Sequence, residues 1–213
     1  MTLTASGYVD LPRHQAGGFD HADVHLETGR VCVAHTGLGT VEILDGEKKK
    51  HLATISDCLE ASGVVCAQKE NLFFTASRGT GKILVVDALT NHVVREAQAG
   101  SAPNGVAWDS KRRQLLVADV QDNRARLVDP YLGRIVSSRE LPGRPRWCAH
   151  SAMRDQFLVN IRDPAGISVL AAENLMEKAF LPISVAGPHG LDIDDKNGLA
   201  YVACDAGAVV VLD

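Results

Sequence analysis

Five polar residues that could bind a ligand recur along the chain: His21, Ser62, Asn104, Arg146 and His189. They are separated by 41, 42, 42 and 43 residues. Imidazole and amide groups ligate divalent transition metals, whereas a guanidinium group binds carboxylates and phosphates. The set therefore predicts one of three roles: a site for a small anionic ligand, a divalent metal site formed by His21, Asn104 and His189, or polar caps that bind nothing.

The elements around these residues repeat with the same period. Runs rich in β-formers end at residues 45, 87, 129, 171 and 213, which are 42 residues apart. Each unit contains short apolar runs separated by turn signals, as expected for a four-stranded antiparallel sheet. A sheet repeated at about this interval is typical of a β-propeller blade. We therefore predict an all-β propeller with five blades, forming a single domain over residues 1–213.

This order of strands would place the five polar residues where each inner strand begins, around the mouth of a central channel. The turns between second and third strands lie at the same end, so they add further residues to the predicted rim. These rim residues are His35, Arg78, Asp119, Asp122, Arg162 and Asp205.

The ends of the chain suggest how the ring closes. Residues 7–12, "GYVDLP", read like the fourth-strand run "SSRELP" (137–142), whereas the last unit lacks a fourth run. The N-terminal strand is thus predicted to complete the last blade and leave no unpaired sheet edge. The alternative is a truncated propeller of six or seven blades. The run "LAAENLMEKAF" (170–180) contains good helix formers, but the repeat predicts a turn and a strand there.

Two runs carry a resemblance to known families. "NHVVREAQAGSAPNGVAWDSKRRQLLVADVQDN" and "ISVAGPHGLDIDDKNGLAYVACDAGAVVVLD" resemble YVTN-repeat propellers, and the first unit resembles the first blade of YncE-like members. More weakly, "PNGVAW" and "PHGLDID" are similar to segments of the SMP-30/gluconolactonase family. That second resemblance implies a metal-dependent lactonase with Asn104 as a metal ligand. His189 and His21 stand where that family has carboxylates.

Composition narrows the classes of function. The net charge is −4, from 22 basic and 26 acidic residues, which argues against nucleic-acid binding. No apolar run reaches membrane-spanning length and no secretory leader is recognisable, so a cytoplasmic protein without a membrane partner is expected. Five cysteines without a C-x-x-C pair predict free thiols rather than a disulfide framework or zinc site.

The sequence favours a binding scaffold over an enzyme. No G-x-S-x-G or comparable nucleophile arrangement is present. The predicted ligand is a small anionic molecule or a protein partner at the channel mouth, and no cofactor is certain. The metal-dependent lactonase is the alternative. His25, four residues after His21, points along the same strand face about 13 Å away, too far to share a metal. His14 and His150 are predicted to be surface histidines, and the sequence predicts no oligomeric state.

Overall fold

A computed structural model describes residues 4–11 and 17–213 of the chain. The only helix in these ranges is the short 3-10 turn Thr36–Leu38, so no described helix is long and apolar enough to cross a membrane. The described strands are β1 (Ala22–His25), β2 (Arg30–His35), β3 (Thr40–Asp45), β4 (Lys50–Ile55), β5 (Ala61–Ala67), β6 (Leu72–Ser77), β7 (Lys82–Asp87), β8 (Val93–Gln98), β9 (Pro103–Asp109), β10 (Gln114–Asp119), β11 (Arg124–Asp129), β12 (Arg134–Glu140), β13 (Pro145–Ser151), β14 (Gln156–Ile161), β15 (Gly166–Ala171), β16 (Glu177–Pro182), β17 (Pro188–Asp194), β18 (Leu199–Cys204) and β19 (Ala208–Leu212).

Consecutive strands form five antiparallel sheets. Blades one to four contain β1–β4, β5–β8, β9–β12 and β13–β16, and blade five contains β17–β19. The first strand of every blade lines one central cavity, so the sheets are arranged as the blades of a β-propeller. The predicted all-β propeller with five blades is confirmed.

The aspartates that mark the repeat close the turn between the third and fourth strands. Asp87 Oδ1 accepts hydrogen bonds from the backbone N–H groups of Leu89 and Thr90, both at 2.8 Å. Asp45 and Asp129 accept equivalent bonds from the residues that follow them. A carboxylate that holds a turn in this way favours aspartate at that position, which explains the 42-residue signal.

The helix-forming run in the fourth unit is extended, as predicted. Residues 170 and 171 end β15, and β16 begins at Glu177. Asn174 Oδ1 accepts a bond from Met176 N at 2.9 Å in the turn between them. Pairing within the blade therefore overrides local helix propensity.

Apolar clusters fill the spaces between consecutive blades. Phe73 lies between blades one and two, Phe74 between two and three, Phe157 between three and four, and Ile167 between four and five. All four side chains are fully buried. Phe73 and Phe74 are adjacent on β6 and point to opposite faces, as pleating requires, so each central strand serves two clusters.

The junction of blade five with blade one is different. Val209 and Val211 of β19 are 63% and 54% exposed, whereas Ile167 and Val169, the equivalent residues of β15, are 0% and 6% exposed. No buried apolar cluster joins blades five and one within the described residues. The outward face of blade five, which we call the blade-five face, thus lacks the packing that the same face has in blades one to four.

The closing strand predicted over residues 7–12 is not formed in residues 7–11, the part of it that the structure describes. Residues 4–11 contain no strand, and the outer edge of β19 has no partner strand in the part of the chain that the structure describes. Lys49 Nζ instead donates a hydrogen bond to the Ser6 carbonyl beside blade one. Tyr8, the only aromatic residue of the segment, is 80% exposed, so little apolar burial is available to hold it in a sheet. Pro12 lies outside the described residues.

Candidate functional site

The predicted site residues lie at the end of the channel where the inner strands begin, which we call the mouth. At the start of β5, β9, β13 and β17 the pairing with the next strand skips one or two residues. The skipped residues include Ser62, Asn104, Arg146 and His189, and His21 directly precedes β1. Each of the four is thus on a β-bulge, which redirects a side chain away from the regular pleat.

Arg146 and His189 belong to a continuous chain of polar contacts. Arg146 Nη2 lies 2.9 Å from His189 Nε2, and His189 Nδ1 lies 3.2 Å from Asp205 Oδ1. Arg162 Nη2 completes the chain at 2.8 Å from Asp205 Oδ2. Because a guanidinium can only donate, Nε2 accepts and Nδ1 carries the proton donated to Asp205. Both ring nitrogens of His189 are therefore engaged.

His21 lies on the same mouth but has different partners. Its Nδ1 is 2.5 Å from Asp20 Oδ1, and Asp20 Oδ2 is 3.3 Å from Arg78 Nη2. The imidazole stacks on the indole of Trp147, with 3.5 Å between ring centroids and 2° between planes. The stack covers one face of Trp147 and fixes the orientation of the imidazole.

Positive charge accumulates around Arg146. Burial lowers the pKa of Arg146, and the neighbouring charges of Arg144, Arg162 and Arg78 lower it further. Asp20 acts in the opposite sense but does not offset the other effects. Arg146 is therefore partly desolvated beside other positive charges, and an anionic ligand would stabilise its charged form.

The carboxylate of Asp20 is stabilised in its ionised form. Burial raises its pKa, but the hydrogen bond with His21 and the charges of His21, Arg78 and Arg146 outweigh burial and hold the pKa below its usual value. Asp20 therefore remains negative near neutral pH. It neutralises part of the positive charge of the mouth.

Ser62 and Asn104 are packed into the fold. The hydroxyl of Ser62 is fully buried, 3.1 Å from the Pro103 carbonyl and 3.4 Å from the Ala76 carbonyl. Asn104 is 3% exposed. Ser62 thus ties blade two to blade three, which is the capping role, and neither residue presents a free surface to a ligand.

The rim residues divide into two groups. Arg78, Arg162 and Asp205 join the mouth through the contacts above. His35 is 3% exposed and stacks on Phe19 at 4.2 Å. Asp119 and Asp122 both pair with Arg126, and Asp119 is fully buried. The second group therefore stabilises turns.

His150 is not the surface histidine that the sequence predicted. Its side chain is 8% exposed, and its Nε2 lies 3.9 Å from Asp109 Oδ1. Asp109, His150 and Asp155 lie close enough together to hold a metal ion, at the far ends of β9 and β13. Arg112, however, already pairs with Asp155 at 2.6 Å and with Asp109 at 2.8 Å, which makes this an ion-pair network. Its position on the pleat buries His150, because β13 packs directly against the neighbouring inner strand.

Sequence reasoning missed three mouth residues: Asp20, Arg144 and Trp147. The available signal was proximity in sequence, since each lies within two residues of a residue that the repeat singled out. The repeat did not reveal them because the equivalent residues of the other units are apolar or glycine, apart from Glu60 at the position of Arg144. Contacts between blades brought them to the mouth.

Comparison with known proteins supports the fold and leaves the family open. No family model and no curated protein matches the chain. Among solved structures, 1259 chains match, so this architecture is widely shared. One is hydrazine synthase from Kuenenia stuttgartiensis, with a TM-score of 0.75 and 13% sequence identity. The match covers 95% of this chain and 59% of that chain. At this identity the likeness shows the β-propeller fold alone.

Proposed function

We propose that this propeller is a scaffold that binds a small anionic ligand, a carboxylate or a phosphate, at the mouth of its channel. Arg146 is the central ligand-binding residue. Arg162 and Arg78 flank it, and His189 holds its guanidinium in place. The proposal rests above all on the half-buried Arg146, whose Nε has no hydrogen-bond partner in the described residues.

The charges of the mouth support an anion. Arg78, Arg144, Arg146 and Arg162 carry four positive charges, and their partners Asp20 and Asp205 carry two negative charges. Glu60 approaches Arg78 only at 3.9 Å and is exposed. A planar guanidinium with free donors binds carboxylate or phosphate oxygens in a paired geometry, which favours these groups over a simple halide.

No observation favours the metal-dependent lactonase. The Nε2 lone pair of His189 accepts a bond from Arg146, and Asn104 is buried. A metal at His189 would have to displace a positively charged group. A protein partner at the mouth also stays a prediction, without a feature that supports it over a small ligand.

Titration calorimetry at low ionic strength tests the proposal, with inorganic phosphate and succinate as probes. We expect saturable binding of at least one probe, and at least tenfold weaker binding in Arg146→Gln. Arg146→Lys should also bind more weakly, because an ammonium group lacks the fork of donors. Affinity should fall as salt is added, as for any partly exposed ionic contact.

Arg154→Gln is the matched control, because it removes one positive charge at the turn after β13, at the opposite end of the channel. It should leave the affinity unchanged. Equal losses in the two glutamine variants would indicate a general effect of net charge and contradict the proposal. Absence of binding to both probes would also contradict it.

A further inference from the structure

The channel below the mouth has the opposite charge character. All five inner strands line a cavity of about 490 Å³, within the size range of small-molecule sites. Its ionisable lining residues are His21, Asp23, His150 and Asp192 together with the thiols of Cys66 and Cys148, and no described lysine or arginine lines it. The arginines of the mouth therefore do not neutralise the interior.

Two carboxylates in this cavity lack a cationic partner in the described part of the chain. Asp23 accepts backbone hydrogen bonds from Val24 and Cys66, both at 2.7 Å, and Asp192 accepts one from Ile193 at 2.8 Å. Burial and the nearby charge of Asp192 raise the pKa of Asp23. A bound cation would relieve this repulsion between the two carboxylates.

The same cavity contains both tryptophans of the chain, Trp108 and Trp147. Trp108 Nε1 is buried without a hydrogen-bond partner in the described residues, and so is His150 Nε2, which approaches Asp109 Oδ1 only at 3.9 Å. The His150 side chain is more than nine-tenths buried, and burial lowers its pKa, so it is neutral near pH 7. Unpaired polar atoms of this kind in a cavity wall indicate a missing partner.

A second, more open cavity of about 350 Å³ adjoins the channel beside blade five. It shares His21, Trp147, Leu191 and Asp192 with the channel and adds the ring of Tyr201. This opening gives a ligand a route to Asp192 that avoids the arginines of the mouth.

We propose that the channel binds an organic ammonium ion with an apolar or aromatic body. The ammonium group pairs with Asp192 and Asp23, and the body packs against the indoles, which also attract cations through their faces. A metal ion fits the site less well, because the His21 imidazole already pairs with Asp20 and both Asp23 oxygens already accept hydrogen bonds. Burial also raises the pKa of the Cys66 and Cys148 thiols, so neither is a ready thiolate ligand. This site adjoins the proposed anion site through His21 and Trp147 but includes none of its arginines.

Because both tryptophans line the cavity, intrinsic fluorescence of the full chain reports binding directly. The probe is 2-phenylethylamine, compared with the neutral 2-phenylethanol. We expect a saturable change in tryptophan emission with the amine and little change with the alcohol at equal concentration. Asp192→Asn should weaken amine binding at least tenfold without loss of fold, since Asp192 is exposed and bonds only its neighbour.

Asp57→Asn removes an exposed carboxylate outside the cavity and serves as the control. Equal responses to amine and alcohol would reduce the site to an apolar cavity and overturn the proposal. So would an affinity unaltered by Asp192→Asn, or a response to Mn²⁺ but not to the amine. The anion titration is independent, so either site can fail alone.

Discussion

At the scale of single residues, the two ends of the channel use charge differently. Arg146 at the mouth is desolvated among like charges, whereas Asp155 at the far end is closely paired. Hydrogen bonds from Arg112, at 2.6 Å to each carboxylate oxygen, lower the pKa of Asp155 well below its usual value. The arrangement around Arg146 favours binding of an anion, whereas the ion pair of Asp155 stabilises the fold.

The paired carboxylate should make stability depend on pH. A depressed pKa gives stabilisation that is complete above the pKa of the unfolded chain, about 4, and that is lost as pH falls towards the folded-state pKa. Asp155→Asn should therefore lower the free energy of unfolding at pH 7, and its difference from the native chain should shrink as the pH falls from about 5 to about 3. Urea unfolding followed by circular dichroism at these pH values measures the free energy of unfolding of both chains.

Glu27→Gln is the control for this experiment, because Glu27 is exposed and has no ion pair within the described residues. Its effect should be small at every pH. A constant difference between Asp155→Asn and the native chain from pH 7 to pH 3 would contradict the assignment.

The residue-level chemistry was only partly readable from sequence. The 42-residue period identified Arg146 and His189, because equivalent repeat positions share a location in the fold. It also selected Ser62, whose hydroxyl satisfies backbone carbonyls of adjacent blades. The repeat period alone cannot distinguish a ligand-binding residue from a buried cap. Burial of the side chain depends on which residues of the neighbouring blade pack against it.

At the scale of elements, the bulged inner strands bring neighbouring blades very close together near the axis. A Cβ on Gly63 would lie 2.1 Å from the Asn104 carbonyl oxygen, and one on Gly105 would lie 2.4 Å from the Arg146 carbonyl oxygen. Only glycine permits these approaches. The bulges and glycines together set the positions of the mouth residues, and the sequence shows the glycines without showing the contact.

Gly63→Ala should therefore destabilise the fold by about 1–3 kcal/mol, because the new methyl forces blades two and three apart. Gly18→Ala, where no atom lies within 4 Å of the added Cβ, should have little effect. Chemical denaturation of both variants measures the difference. Equal stability of the two would show that the inner strands tolerate movement at this point.

At the scale of the whole molecule, apolar surface is exposed on the blade-five face and at the edge of β19, which no strand of the described residues pairs. Such surfaces promote association between chains. Val211→Lys should reduce concentration-dependent association and leave the melting temperature nearly unchanged, because Val211 is already half exposed. Sedimentation velocity measures the association, and thermal melting followed by circular dichroism measures the melting temperature.

The matched variant is Val169→Lys, at the equivalent position of blade four, where the residue is 6% exposed. Burying an unpaired ammonium there should prevent folding. If Val211→Lys proved as damaging as Val169→Lys, the blade-five face would have to be packed in solution.

The repeat predicted the blade count and the strand order because each blade follows the same local pattern. It did not predict the junction of blade five with blade one. The expected strand over residues 7–12 matched a fourth-strand pattern, but a pattern of this length does not specify its pairing partner. The N-terminal segment instead contacts blade one, through the hydrogen bond from Lys49 to the Ser6 carbonyl. Neither residue stands out in the sequence.

The order of the apolar clusters has a consequence for synthesis of the chain. Strand pairing lies within units of about 42 residues, and each apolar cluster joins consecutive units. Contacts of such short range can form while the chain is still emerging from the ribosome. The contact between Arg146 and His189 must wait for blade five, so the mouth is completed after most of the scaffold has folded.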